Sequence, residues 1–82
     1  PMKVRWLRRA VHNLSNAHPS VARDNPAAAR KVVALIENAV ARLSVTPHIG
    51  RPGRVAGTRE LLVPPTPYFI VYIPQENTVD II

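Results

Sequence analysis

Cysteine is absent from the 82 residues, which excludes a disulfide framework and any thiolate zinc site. The absence fits a reducing compartment. Long apolar runs are missing too. None approaches the roughly 20 residues of a membrane-spanning helix, and no signal-peptide pattern opens the chain. Aromatic residues are sparse: Trp6, Tyr68, Phe69 and Tyr72. Three of them cluster at Tyr68–Tyr72, so they do not form a stacking platform for single-stranded nucleic acid. Glycine occurs only at Gly50, Gly53 and Gly57, all within one stretch, HIGRPGRVAGTRELLVP (His48 to Pro64). Acidic residues number only five, Asp24, Glu37, Glu60, Glu76 and Asp80, against eleven lysines and arginines.

Apolar residues make up 46% of the chain, enough for it to fold rather than stay disordered. A domain of this length buries a thin core, with an expected stability of roughly 4–12 kcal/mol. The formal charge is +6, and ten of the eleven basic residues lie at or before Arg54. Such a field favours a polyanion or an acidic partner protein, although a basic surface also serves solubility alone. Pro1 ahead of Met2 reads as the scar of a cleaved tag, leaving one domain over 2–82. Repeats, low-complexity tracts and interdomain linkers are all lacking.

MKVRWL (Met2–Leu7) alternates, with Val4 and Trp6 on one side and Lys3 and Arg5 on the other, as in a half-buried strand. From Arg8 the period becomes helical, through Val11, Leu14, Ala17 or His18, and Val21. Pro19 predicts a kink or break near His18–Ser20. A second helix is expected from Pro26 to Leu43, capped by Asn25 or Asp24. Its apolar stripe is Ala29, Val32, Val33, Ile36, Val40 and Leu43. The short link between the two helices predicts an antiparallel hairpin.

Three strands should follow: Arg59–Val63, Tyr68–Ile73 and Thr78–Ile82. The middle one is apolar throughout, which predicts a central strand covered on both faces. In the last, Val79 and Ile81 should face the helices, and the strand is expected to leave an open sheet edge. The turns PPTP and PQEN favour an antiparallel meander. The fold class is therefore α+β: an N-terminal strand, a helix hairpin, and a three-stranded antiparallel meander with the helices on one face. Trp6 should pack between sheet and helices.

The basic stretch is the leading candidate site. GRPG lacks the Lys-Ser/Thr end of a P-loop and does not join a strand to a following helix, so its glycines read as turn formers. His12, His18 and His48 show no ligand spacing, so neither metal nor cofactor is expected. No two acids make a general acid/base pair. Arg51, Arg54 and Arg59 could stabilise a phosphorane-like transition state of RNA cleavage, but that chemistry also needs a proton donor and acceptor. Tyr68 and Tyr72 read as sheet core instead. Arg59 and Glu60 also have a plain structural reading, as ion-pair formers along a strand.

Together, RWLRRAVHNL, DNPAAARKVVALIENAVARL, PHIGRPGRVAGTREL, PYFIVYI and TVDII resemble the ParE branch of the RelE/ParE toxin superfamily. The resemblance runs in order from Val4 to Ile82 and is strongest in DNPAAA and GRPGRVAGTREL. It implies a small antiparallel sheet against a helical hairpin, and a cytoplasmic toxin of a bacterial type II toxin–antitoxin pair. It further implies DNA gyrase as the target, a ParD-like antitoxin as partner in a hetero-oligomer, and no enzymatic activity. RelE-type relatives instead cut mRNA on the ribosome, with basic residues at places comparable to Arg51, Arg54 and Arg59. Those nucleases also use a tyrosine or histidine near the C-terminus, and none follows Tyr72 here. The candidate target contacts are thus Arg51, Arg54, Arg59 and Glu60. Two features depart from the family pattern. Pro19 falls in the first helix, and the chain stops at Ile82, where relatives carry a further basic segment. A third expectation follows from that: an attenuated toxin that retains antitoxin binding.

Overall fold

The computed structural model describes residues 2–7 and 26–82. The expected first helix, with its Pro19 kink, its histidines His12 and His18, and the capping residues Asp24 and Asn25, lies outside them. Within the described residues the chain forms strand β1 (Lys3–Trp6), helix α1 (Pro26–Val45), and strands β2 (Arg51–Pro52), β3 (Arg59–Leu62), β4 (Phe69–Pro74) and β5 (Thr78–Ile81). This is the α+β class that the hydrophobic periods predict. No described helix is long and apolar enough to cross a membrane.

Helix α1 begins at Pro26, where a missing N–H costs nothing because first-turn N–H groups have no intrahelical partner. It runs two residues past the expected Leu43. The Thr46 N–H still reaches the Arg42 carbonyl at 2.9 Å, and then Pro47 cannot continue the ladder. Its buried residues are Ala29, Ile36, Ala39, Val40 and Leu43, a stripe repeating every three or four positions. Leu43 is fully buried with Tyr72 and Val79 at the centre of the core. Burial of a leucine or valine side chain of this kind contributes about 1.5–3 kcal/mol.

The strands form one sheet in the order β1-β5-β4-β3-β2. β3, β4 and β5 are the expected antiparallel meander. β1 joins at the β5 edge in parallel, with Val4 opposite Val79 and Trp6 opposite Ile81. Parallel neighbours need a long connection, and the chain between β1 and β5, which includes α1, β2, β3 and β4, supplies it. β5 is therefore internal, not the open edge anticipated for Thr78–Ile82. The first strand of the chain covers that edge, a pairing that short-range turn signals cannot reveal. Met2 N–H to the Ser44 carbonyl, 2.7 Å, ties the start of β1 to the end of α1.

Paired residues share a face, so the register sorts the two sides of the sheet. Val4, Trp6, Leu61, Ile70, Tyr72, Val79 and Ile81 belong to the core on the α1 side. The opposite side carries Glu60 with Val71, Leu62 with Phe69, and Ile73 with Asp80. Phe69 is 47% exposed and Leu62 52%, while Val71 and Ile73 are half-buried. β4 is thus central but not covered on both faces. Its uninterrupted apolar run reflects a core face and a half-open apolar face, which period-2 analysis cannot separate.

Candidate functional site

The basic stretch folds into the β2–β3 hairpin, which leaves α1 through Gly50. Tyr72 projects from β4 into the core with no exposed surface, and its Oη accepts the Gly50 N–H at 2.9 Å. The Gly50 carbonyl accepts from Arg59 Nη1 at 2.7 Å, and the same nitrogen reaches the His48 carbonyl at 3.2 Å. Both polar groups of Gly50 are therefore held by side chains of the sheet. Arg59 and Tyr72 are direct cross-strand partners, so one pair of neighbouring residues supplies both bonds. Glycine is required at this point. A Cβ would stand 2.6 Å from Tyr72 Oη and 2.9 Å from the Glu60 carbonyl oxygen.

Arg51 lies opposite Glu60 across β2 and β3. Its Nε and Nη2 both approach Glu60 Oε1 at 3.1 Å, with the Arg51 side chain 58% exposed. Beyond them the hairpin tip is closed by Gly53 N–H to the Thr58 carbonyl, 2.8 Å, and by Thr58 N–H and Oγ1 to the Val55 carbonyl, 3.1 and 2.6 Å. Gly57 takes φ 85°, a left-handed geometry that strains other residues. Arg54 is exposed at this tip and makes no side-chain bond among the described residues.

The hairpin brings Arg51, Arg54, Arg59 and Glu60 into one element, as their spacing suggests, but in different states. Arg51 and Glu60 neutralise each other, Arg59 grips backbone carbonyls, and Arg54 is free among the described residues. Sequence reasoning missed the Tyr72–Gly50–Arg59 arrangement. It treated Tyr72 as core, which its burial bears out, without finding a partner for the hydroxyl. A buried tyrosine calls for such a partner, and a glycine beside a basic turn is the only available hint.

A second polar pair was also missed. Arg5 donates through Nε and Nη2 to the two carboxylate oxygens of Asp80, at 3.1 and 2.7 Å, across the β1–β5 register. Asp80 is buried, and Thr78 Oγ1 donates to it at 3.2 Å. The Arg5 hydrogen bond holds the Asp80 carboxyl below the usual carboxylate range. Burial opposes the shift, and Thr78 assists it.

The same fold recurs in a chain of the chromosomal ParDE TA system from P. aeruginosa. The two match with a TM-score of 0.86 at 25% identity, covering 98% of this chain and 89% of that one. The Sinorhizobium fredii protein Y4kP is 43% identical over 70 residues, 85% of this chain and 73% of the relative. The family described as ParE toxin of type II toxin–antitoxin system, parDE, matches residues 4–82, and the chain belongs to it.

Proposed function

We propose that this ParE-type toxin acts in the cytoplasm by binding DNA gyrase, without catalysing a reaction itself, and that a ParD-like antitoxin neutralises it. The reading rests on family membership and on one observation at the site. Apart from Arg54, the groups that RNA cleavage would recruit are already engaged within the fold. Arg59 holds the His48 and Gly50 carbonyls, Glu60 faces Arg51, and the Tyr72 hydroxyl is buried against Gly50. A general acid or base must reach the scissile phosphate, and these groups are turned inward.

The P. aeruginosa neighbour belongs to a ParDE system, and carrying that partnership over gives a ParD-like antitoxin in a hetero-oligomer with this chain. The exposed cross-strand pair Leu62–Phe69, on a chain of formal charge +6, suits an acidic amphipathic segment that orders on binding. The test supplies the purified chain to gyrase supercoiling reactions and, separately, to translating ribosomes. Supercoiling should stall and mRNA should stay intact. Adding the protein encoded beside the toxin should restore supercoiling. Site-specific mRNA cleavage lost in Arg59→Ala would replace this reading with the RelE-type one.

A further inference from the structure

The geometry points to the hairpin tip, Arg54 with Val55, as the element that recognises the target, and to a protein surface of gyrase rather than its DNA as what it meets. The inference rests on the gyrase reading and deepens it. Of the three arginines of the hairpin, Arg51 and Arg59 are engaged within the molecule, and among the described residues only Arg54 keeps its full donor set for another one. Beside it, Val55 is 69% exposed. Turn positions favour Gly, Asn, Asp and Ser because these suit turn backbones or bond to them. A β-branched apolar side chain contributes neither property, so the turn itself does not explain Val55.

The tip is also held in shape before any partner arrives. Thr58 is buried and receives the Gly53 N–H on its carbonyl, while its own N–H and hydroxyl close on the Val55 carbonyl. At the base, Gly50 is fixed by Tyr72 and Arg59. A preorganised contact loses less entropy on binding than a loose loop does. Tyr72 and Arg59 are positioning residues in this scheme, because they aim the hairpin without touching the partner.

The pairing of side chains selects the chemistry of the partner. Arg54 fits a carboxylate through its planar fork, and Val55 fits a shallow apolar pocket next to it. A phosphate backbone would satisfy Arg54 but leave Val55 against polar surface, since protein–DNA contacts are mostly polar and made to phosphates. Both side chains are satisfied together on an acidic protein surface with an apolar recess.

The test measures binding to purified gyrase holoenzyme without DNA, and to a short DNA duplex alone. The wild-type chain, the double variant Arg54→Glu/Val55→Asp, and Lys31→Glu are compared. Lys31 is exposed on α1, so the last variant reverses one basic charge away from the hairpin, as Arg54→Glu does within it. The double variant should melt at the wild-type temperature, because neither side chain has a bond to lose among the described residues. It should bind gyrase about tenfold or more weaker, as removal of a contact anchor does. Lys31→Glu should stay within about twofold of wild type. Undiminished binding by the double variant overturns the tip assignment and leaves the gyrase reading standing. Equal weakening by both variants overturns it in favour of a general charge effect. Tight wild-type binding to the duplex alone assigns the hairpin to nucleic acid instead. A wild-type chain that does not bind gyrase overturns the gyrase reading and this inference with it.

Discussion

Arg5 and Asp80 each sit on the polar side of an alternating strand, and that much is legible in the sequence. Their partnership is not, because it joins residues 75 apart through the β1–β5 pairing. It has a consequence for acid stability. The Asp80 carboxyl is held below its usual range in the folded chain, chiefly by Arg5, so protons bind the unfolded chain more readily. The stabilisation is complete above the unfolded aspartate value of about 3.9 and is lost as pH falls through the lower folded value. Thermal melts should show Asp80→Asn clearly less stable than wild type near neutral pH, with the gap closing in acid below about pH 4. A gap that stays constant with pH would show that the ion pair is not its source. Tyr72 gives a second residue-level expectation. Tyr72→Phe keeps the ring but leaves the buried Gly50 N–H without its acceptor, at a cost of about 1–3 kcal/mol. Gly50→Ala should cost at least as much, since its methyl meets the Tyr72 ring and the Glu60 backbone. Chemical denaturation of both variants checks the pair. A wild-type midpoint for Tyr72→Phe would mean that water replaces the hydroxyl.

Among the elements, α1 was the most legible. Pro26, the three- and four-residue apolar spacing and the stop at Pro47 are all local signals, and they locate the helix to within two residues at its C-terminal end. β3, β4 and β5 were similarly readable from apolar runs between proline-rich turns. β2 was not, because two residues, one a proline, carry no period. It exists only because Arg51 and Pro52 find Glu60 and Arg59 across the turn. The basic stretch was recognised as a unit, but composition could not divide its arginines, since that division depends on which acids and carbonyls the turn brings near. This ordering of local and non-local support should appear in mutants. Leu43→Ala, which opens a cavity under the whole sheet, should cost about 2–5 kcal/mol. Arg51→Ala removes a half-exposed arginine but leaves the Glu60 carboxylate, 11% exposed, without its partner, and should cost about 1–3 kcal/mol. Urea midpoints at unchanged slope would confirm the contrast. A loss for Arg51→Ala as large as that for Leu43→Ala would show that β2 is needed for the sheet to form.

At the scale of the molecule, the exposed basic groups of α1 and the exposed Leu62–Phe69 pair on the far face of the sheet lie apart, and the two should govern different steps of antitoxin binding. Lys3, Arg30, Lys31, Arg42 and Arg54 are exposed and make no side-chain bond among the described residues, and three of them stand on α1. Their combined field reaches roughly 30 Å at low salt but only about 8 Å at physiological ionic strength. It can therefore draw in an acidic chain from a distance without fixing where that chain settles. Leu62 and Phe69 act only at contact, on the sheet face away from α1. Rapid-mixing measurements with the proposed antitoxin should accordingly show two separable effects. Raising salt from low to physiological strength should slow association by about tenfold or more and leave dissociation nearly unchanged. Phe69→Ser should do the reverse, hastening dissociation while the association rate and its salt dependence persist. Association that ignores salt would show that the basic surface serves solubility alone. A Phe69→Ser variant that dissociates at the wild-type rate would place the antitoxin on other exposed apolar groups, Val45, Ile49 or Val55, since the α1 side of the sheet is already buried.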